Sequence, residues 1–276
     1  MNTNRLPSPF NPAGRLRNLR CRSRIWAGTV RSIGLPACLL LAGATAHAEA
    51  VHRSPLDIVA PSDGGFLYVA ETASQRVAVV DPEQGRVTGH IPLPGRPGGL
   101  AVSADGTTLF VTDAAPDGTA WVLDAKTGAL RTAIPVGHTP VAAVLSRDES
   151  LLFVCNQFDH DVSVVDLAAG EAVARIPVRR EPVAAALTRD GGQLLVANLL
   201  PTGPATAAYA AAEVSIIDVG SRAVSHHVTL PNGSHSLQGI AVSPDGRFAY
   251  VTHILSRYQV PTTQLERGWM NTNALS

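Results

Sequence analysis

The feature that most constrains the fold is a unit of two short apolar runs joined at an aspartate, which recurs along the chain. Its clearest copy is Gly99-Leu-Ala-Val-Ser-Ala-Asp-Gly-Thr-Thr-Leu-Phe-Val-Thr-Asp113, in which Asp105 and Gly106 favour a tight turn between two strands. The equivalent aspartates follow one another at intervals of 42, 43, 42 and 55 residues: Asp63, Asp105, Asp148, Asp190 and Asp245. A period in the low forties that contains strands rather than helices predicts an all-β fold, a β-propeller of four-stranded antiparallel blades.

A second mark repeats in step with the first. Each of the first four units continues into an apolar run that ends in aspartate, and a short turn and a fourth β-prone run follow: Asp81, Asp124, Asp166 and Asp218. One unit therefore supplies strands A, B, C and D. The units span 54–95, 96–137, 138–179, 180–233 and 234–276 of a propeller domain that covers 49–276. Ser276 aligns with Ser163 and Ser215 inside strand C, so we expect about four and a half blades and a chain that is a piece of a longer protein.

Short segments that close strand B carry a resemblance to a known family. They are Tyr68-Val-Ala-Glu71, Phe110-Val-Thr-Asp113, Phe153-Val-Cys-Asn156, Leu195-Val-Ala-Asn198 and Tyr250-Val-Thr-His253. These segments resemble the repeat that names the YVTN family of β-propellers, and the likeness covers roughly 54–255. The resemblance implies a bacterial or archaeal exported propeller, often seven-bladed, of which the blades seen here would be part. It implies no single activity.

The first 48 residues differ in composition from the rest. They hold seven arginines and no acidic residue, and an uncharged run from Ser32 leads to Ala46-His-Ala48. This pattern predicts a signal peptide over 1–48 and a periplasmic, secreted or cell-surface protein with no membrane span after cleavage. An uncleaved anchor is the alternative, because the basic segment is long. Leu35-Pro-Ala-Cys38 also faintly resembles a lipoprotein box.

Removal of the signal peptide makes the protein acidic. Fifteen basic residues then face 22 acidic ones, a net charge of −7 in place of the formal zero. Nucleic-acid binding needs a basic surface to neutralise phosphates, so this class of partner is disfavoured. Cys155 becomes the only cysteine, which excludes an intramolecular disulfide. Its place in the apolar run Leu151-Leu-Phe-Val-Cys155 predicts a buried thiol.

The D-to-A and B-to-C connections share one face of a propeller, which we call the loop face, and polar residues concentrate in them. Those before strand A are Arg96, His138, Arg179, Arg180 and His235; those after strand B are Glu71, Asp113, Asn156, His160, Asp161, Asn198 and His253. Eight are our candidate ligand-binding residues: Arg96, His138, Asn156, His160, Arg179, Asn198, His235 and His253. Imidazole and carboxylate groups suit transition metals, but polar side chains also satisfy backbone groups at strand ends, so no metal site is assigned.

Two B-to-C connections are longer than the others, 199–212 and 254–273. Insertions of this kind vary the binding surface of a rigid scaffold. They predict a binding or interaction scaffold whose partner is a protein or a small molecule on the loop face. No catalytic residue is assigned, because the chain has no Gly-x-Ser-x-Gly elbow, phosphate loop or Cys-x-x-Cys-His motif.

Two enzymatic alternatives stay open. The segment Gln264-Leu-Glu-Arg-Gly-Trp-Met-Asn271 resembles parts of longer bacterial YVTN proteins that continue into c-type cytochrome or di-haem peroxidase-like regions. The chain would then be the propeller portion of a periplasmic oxidoreductase. No cofactor is expected in this chain itself, and haem only if the protein continues beyond it. Sugar-lactonase propellers also resemble these repeats, which makes a lactonase-like hydrolase the second alternative.

Overall fold

The computed structural model describes residues 53–62, 64–204, 206–257 and 270–276. The predicted signal peptide, 1–48, and residues 258–269 of the second long connection lie outside these ranges. Over the described ranges the chain forms 19 β-strands. No helix in the same ranges is long and apolar enough to cross a membrane.

The strands follow the chain in five antiparallel sheets. The first contains β1 (Pro55–Val59), β2 (Leu67–Glu71), β3 (Arg76–Asp81) and β4 (Arg86–Pro92), and the second β5 (Pro97–Val102), β6 (Thr108–Asp113), β7 (Thr119–Asp124) and β8 (Leu130–Pro135). The third contains β9 (Pro140–Leu145), β10 (Leu151–Asn156), β11 (Asp161–Asp166) and β12 (Glu171–Pro177). The fourth contains β13 (Pro182–Leu187), β14 (Gln193–Asn198), β15 (Glu213–Asp218) and β16 (Ala223–Thr229), and the fifth β17 (Ser234–Val242), β18 (Ala249–Ser256) and β19 (Asn271–Leu275).

Consecutive strands are neighbours in every sheet, which confirms an all-β propeller of four-stranded antiparallel blades. The blade count differs from the expected four and a half of seven, because the described residues form five sheets. The difference arises in the last segment, where β19 pairs along β18 and gives the fifth sheet a third strand. Ser276 extends this ladder through two backbone hydrogen bonds with Val251. It thus occupies the position that Ser163, which pairs with Val154, has in the third blade.

The core lies between the blades, because alternate residues of a strand point to opposite faces of its sheet. In β10, Leu152 and Val154 belong to an apolar cluster shared with the second blade, whereas Phe153 and Cys155 belong to one shared with the fourth. Similar clusters join the first blade to the second and the fourth to the fifth. Apolar burial therefore holds each pair of consecutive blades together.

The first strand of each blade lies innermost. Residues of β1, β5, β9, β13 and β17 line one cavity of about 570 Å³, so the blades are arranged around a common axis. Small residues let these strands approach closely. A Cβ added to Gly98 would lie 2.2 Å from the carbonyl oxygen of Pro140, so this position accepts only glycine without movement of the backbone.

The A-to-B and C-to-D turns form the opposite face, which we call the turn face. The A-to-B turns of the second to fifth blades share one construction, whereas Asp63 of the first blade lies outside the described residues. A serine or threonine hydroxyl donates to the carboxylate of the aspartate two residues later, at 2.6 Å in the pairs Ser103–Asp105, Ser146–Asp148 and Thr188–Asp190 and at 2.5 Å in Ser243–Asp245. The residue after each of these aspartates has a positive φ, and it is glycine except at Glu149. The repeated aspartate of the sequence is therefore the acceptor that closes these turns.

The A-to-B turns of the last three blades are linked to one another. Arg147 donates to the carbonyl oxygen of Arg189, and Arg189 donates in turn to the carbonyl oxygen of Pro244 at 2.8 Å. These three residues occupy the same position in successive blades. Each link joins a side chain of one blade to a backbone acceptor of the next.

Candidate functional site

Asn156, one of the eight predicted binding residues, is a buried anchor at the end of strand B. Its Oδ1 accepts from the Gly137 N–H at 3.0 Å, and its Nδ2 donates to Asp161 Oδ1 at 2.7 Å and to Ser163 Oγ at 2.8 Å. The side chain is 0% exposed, and both amide groups are used inside the blade. Asn156 therefore stabilises the loop face through buried hydrogen bonds.

Asn198 and His253 take the same position in the fourth and fifth blades. Nδ2 of Asn198 donates to Ser215 Oγ at 3.0 Å, and Nε2 of His253 lies 2.9 Å from Ser276 Oγ. Both side chains are buried. The shared partner is a serine in strand C, so these positions too are structural anchors.

His138 and His160 lie on the loop face, and each makes a local contact. The His138 ring packs edge-on against Phe158 with centroids 5.3 Å apart, and its Nδ1 is 2.8 Å from Thr139 Oγ1. The exposed His160 accepts a hydrogen bond from the Glu181 N–H at Nδ1, 3.1 Å long. The His160 contact ties the B-to-C hairpin of the third blade to the start of the fourth.

The two predicted arginines have different surroundings. Arg96 is exposed, and its backbone N–H bonds to the carboxylate of Asp113. Burial raises the pKa of Asp113, while that hydrogen bond lowers it by a smaller amount. Arg179 is half-buried and forms an ion pair with Glu213, with Nε 2.5 Å from Oε2. Its charge is therefore neutralised within the blade.

Within the described ranges, no group of three or more His, Cys, Asp or Glu side chains is arranged to hold a metal ion. The acidic hairpin that follows Asn156 shows why a carboxylate-rich sequence is not sufficient. Asp159 and Asp161 both pair with Arg175, and Asp159 also accepts from the His138 N–H. This hydrogen bond, followed by the bond from Arg175, lowers the pKa of Asp159.

The predicted residue His235 lies in a different setting, a cavity of about 360 Å³ on the loop face between the fourth and fifth blades. Arg180 and part of the insertion 199–212 also line this cavity. Its wall is formed by Arg180, Leu200, Pro201, Gly203, Ala210, Gly233, Ser234, His235 and Ser256. This cavity is the candidate functional site.

Hydrogen bonds to the connection between the fourth and fifth blades hold the insertion in place. Asn232 brackets it, since its Oδ1 accepts from the Ala210 N–H at 2.9 Å and its Nδ2 donates to the Ala208 carbonyl at 3.1 Å. The Tyr209 hydroxyl donates to the Leu230 carbonyl at 2.8 Å. Residues 208–210 of the insertion are thus fixed beside the cavity.

Gly233 and Ser234 border the cavity where the fifth blade begins. Gly233 has a φ of 91°, and a Cβ there would lie 2.1 Å from the Ser256 carbonyl oxygen, so only glycine fits. Ser234 is 0% exposed, and its backbone bonds to Pro231 and Ala212. Its Oγ has no hydrogen-bond partner in the described structure. A buried hydroxyl without a partner costs about 1–3 kcal/mol, and its complete burial keeps this atom off the surface that a ligand in the cavity would contact.

The sequence pointed to His235 but not to the cavity. Arg180 appeared only as one polar loop residue among many, and Ser234 did not stand out. The cavity depends on contacts between 199–212 and 230–234, which lie far apart in the chain. Only the lengthened fourth period, together with Gly233 before strand A, could have signalled it.

Comparisons with known proteins support the fold and leave the family open. No family model matches the chain. Antigen Lp49 of Leptospira interrogans is 24% identical over 120 residues, which cover 39% of this chain and 26% of that protein. Hydrazine synthase of Kuenenia stuttgartiensis is similar in structure, with a TM-score of 0.74 and 24% identity over 84% of this chain and 64% of that one. The chain thus spans about a quarter and about two thirds of their respective lengths, and membership of the YVTN family is not confirmed.

Proposed function

We propose that this protein is an exported propeller that acts as a binding scaffold, with its ligand seated in the cavity between the fourth and fifth blades. The observation that carries the proposal is the cavity itself. It has a volume of about 360 Å³, and it is lined in part by the insertion, in which Ala208, Tyr209 and Ala210 are hydrogen-bonded to residues 230–232. Volumes of this size suit small molecules, and a few placed polar groups among apolar ones fix their orientation.

Binding accounts for the site better than catalysis. Ser234 and His235 are adjacent, but Nδ1 of His235 lies 2.8 Å from Ser236 Oγ. A serine nucleophile needs a base that hydrogen-bonds to it and a third group that orients the base. Within the described structure neither contact exists, since Ser234 Oγ has no partner and no carboxylate lines the cavity.

Export is supported by the predicted signal peptide and by the resemblance of the repeats to exported propellers. A periplasmic, secreted or cell-surface protein meets small molecules and surface partners from outside the cell. The insertion on the loop face suits either kind of ligand, and the cavity volume of about 360 Å³ favours a small molecule.

The proposal is tested with purified protein produced from the full chain. A thermal-shift screen of chemically diverse small molecules is followed by calorimetric titration of each hit. The blocking variant Ala210→Phe, which adds a ring to the cavity wall, is expected to abolish the binding that the wild type shows. Ala168→Phe adds the same ring at an exposed position of a C-to-D turn and is expected to bind normally.

Two results would contradict the proposal. One is a screen in which no compound raises the melting temperature. The other is a set of hits that bind Ala210→Phe as tightly as they bind the wild type, because their site would then lie elsewhere.

A further inference from the structure

We infer that the fourth blade contains a pH-dependent switch, in which protonation of His227 releases the base of the insertion 199–212. Because part of this insertion lines the cavity between the fourth and fifth blades, the switch would regulate the binding site. That regulatory consequence rests on the proposed function. The switch itself rests on hydrogen bonds within the fourth blade and is tested without a ligand.

The switch is centred on the hydroxyl of Ser215, a fully buried residue of β15. Its Oγ accepts from Asn198 Nδ2 at 3.0 Å and from the Arg179 backbone N–H at 3.4 Å. A hydroxyl oxygen accepts two hydrogen bonds, so the remaining bond of Ser215 is one in which it donates its own proton. That proton points to His227 Nδ1, which lies 3.1 Å away on the neighbouring strand β16. His227 is therefore neutral in this arrangement, with its proton on Nε2.

Asn198 connects this hydroxyl to the insertion. Asn198 and Glu213 flank the insertion, and the described β14–β15 ladder ends one residue earlier, at Ala197 and Val214. Nδ2 of Asn198 donates to the Glu213 carbonyl oxygen at 2.7 Å, a bond that joins the two ends of the insertion. Oδ1 of Asn198 is buried and has no partner in the described structure. The amide therefore holds a free acceptor beside a hydroxyl to which it now donates.

Protonation of His227 reverses the direction of these hydrogen bonds. Nδ1 becomes a donor to Ser215 Oγ, and the Ser215 proton then needs another acceptor. Oδ1 of Asn198 provides that acceptor when the amide rotates to face the hydroxyl. The same rotation turns Nδ2 away from the Glu213 carbonyl and opens the base of the insertion. Buried polar groups are costly to leave without partners, which favours this exchange over the loss of a single bond.

The charged groups around His227 favour its neutral form at neutral pH. Burial, followed by the charge of Arg179, lowers the pKa of the half-buried His227. The carboxylate of Glu213 raises this pKa by a smaller amount, and the charge of His226 lowers it again. Protonation is therefore expected below the ordinary pKa of 6.5. The stability that neutral His227 contributes is present above that value and is lost as the pH falls through the lowered pKa.

Strand β12 of the third blade also contacts β16, and it carries two charged residues. Glu171 lies at the turn-face end of β12 and pairs in the strand register with Asp166. Arg175 forms ion pairs with Asp159 and Asp161 of its own blade. The charges of β12 are thus remote or already paired, so Arg179, Glu213 and His226 remain the charged groups that act on His227.

The third blade has the same anchor without the switch. Arg175 pairs with Ser163 in the strand register, as His227 pairs with Ser215, and an arginine does not titrate in this pH range. Oδ1 of Asn156 already accepts from a backbone N–H, so its amide has no free acceptor. In the fourth blade the titratable partner and the free acceptor occur together, next to the insertion.

The test combines two measurements on the full chain without a ligand. NMR titration of the histidine ring nitrogens from about pH 7.5 to about pH 4.5 gives the tautomer and the pKa of His227. Hydrogen–deuterium exchange over the same range, corrected for its intrinsic pH dependence, follows the backbone amides of 199–212. We expect the Nε2–H tautomer at neutral pH. We also expect exchange to rise roughly tenfold on acidification, with its midpoint at the pKa of His227.

Variants then assign the response to His227. His227→Gln removes the titration but supplies an oxygen that can accept from Ser215, so 199–212 should stay protected across the whole pH range. His226→Gln is the matched control, because this exposed neighbour contacts Ser225 rather than Ser215. His235→Gln removes the imidazole that lines the cavity itself. Both controls should keep the acid-dependent rise in exchange.

Three outcomes would overturn the switch: an Nδ1–H tautomer of His227 at neutral pH, exchange of 199–212 that does not change with pH, and an acid-dependent rise that persists in His227→Gln. None of them bears on whether the cavity binds a ligand, which the thermal-shift screen decides. A screen without hits would instead overturn the regulatory role and leave the switch as a property of the fourth blade.

Discussion

Gly137 and Asn156 show how a single residue without a side chain sustains a buried polar network. The Gly137 N–H donates to Asn156 Oδ1, and a Cβ on Gly137 would lie 2.5 Å from Asn156 Cγ. In the fourth blade the equivalent residue is Arg179, whose N–H bonds to Ser215 Oγ at 3.4 Å. There the Oδ1 of Asn198 has no partner in the described structure. The glycine therefore determines whether the asparagine amide is fully satisfied.

Gly137→Ala should destabilise the fold by about 2 kcal/mol, because the added methyl group displaces Asn156 and leaves its buried amide without hydrogen-bond partners. Gly89→Ala is the matched control, since a Cβ there meets nothing within 4 Å, and its effect should stay within about 1 kcal/mol. Chemical denaturation of the three proteins measures the free energy of unfolding. Equal stability of the two variants would show that the Asn156 network contributes nothing.

Cys155 is expected to be chemically silent in the folded protein. Burial, with a smaller contribution from the charge of Asp161, raises the pKa of its thiol to about 12. A thiol-specific reagent should therefore label Cys155 only at the rate of unfolding. Because the thiol ionises near pH 9.0 when unfolded, it should lower the free energy of unfolding as the pH rises from there toward about 12. Rapid labelling of the native protein at neutral pH would contradict the buried position.

The element that recurs most faithfully is the A-to-B turn, in which a hydroxyl lowers the pKa of the aspartate it caps. For Asp148 the largest cause is the Ser146 hydroxyl, followed by the backbone N–H and the hydroxyl of Ser150. These donors stabilise the ionised form of the carboxyl group. A carboxyl with a lowered pKa stabilises the fold above its ordinary pKa near 3.8, and that contribution is lost as the pH falls through the lower value.

Ser146→Ala should raise the pKa of Asp148 toward its ordinary value and leave Asp190, in the equivalent turn closed by Thr188, unchanged. Carbon-13 NMR titration of the aspartate carboxyl groups between pH 7 and pH 2 measures both values. Asp190 serves as the control within the same molecule. An unchanged pKa of Asp148 would show that the Ser146 hydroxyl does not stabilise the carboxylate in solution.

The strands were predictable from the sequence because the period and the apolar runs are local properties. In β10, every residue from Leu151 to Cys155 is apolar, which is typical of a strand buried on both faces, and the structure packs alternate residues against the second and fourth blades. Which of the eight candidate residues are buried anchors and which lie on the loop face was not predictable to the same extent. A polar residue ends each B strand, but its burial depends on a partner in strand C, such as Ser163 for Asn156 or Ser276 for His253. The cavity was not predictable from the sequence, because the segments that line it come together only in the folded protein.

At the scale of the whole molecule, the blades follow one another around a common axis, and residues 49–276 carry 15 basic and 22 acidic side chains. The five inner strands surround one cavity, and each blade contacts its chain neighbours through a separate apolar cluster. Stability in such a repeat architecture is approximately a sum over blades and their interfaces. The alteration of one loop-face site therefore leaves the other blades largely unaffected.

Expression of the full chain in a bacterium with an intact export pathway should yield a protein that begins at Glu49, because signal peptidase would cleave after Ala48. Intact-mass spectrometry of the periplasmic fraction measures the cleavage site. A product that retains 1–48 would contradict the cleaved signal peptide.

The arginine links on the turn face have a consequence for how such a protein changes over evolutionary time. Arg147 and Arg189 each reach a backbone carbonyl, an acceptor that every amino acid supplies. The receiving blade therefore needs the right turn geometry but no particular side chain. Duplicated or exchanged blades can be joined to their neighbours at once, and their loops are then free to diverge toward new ligands.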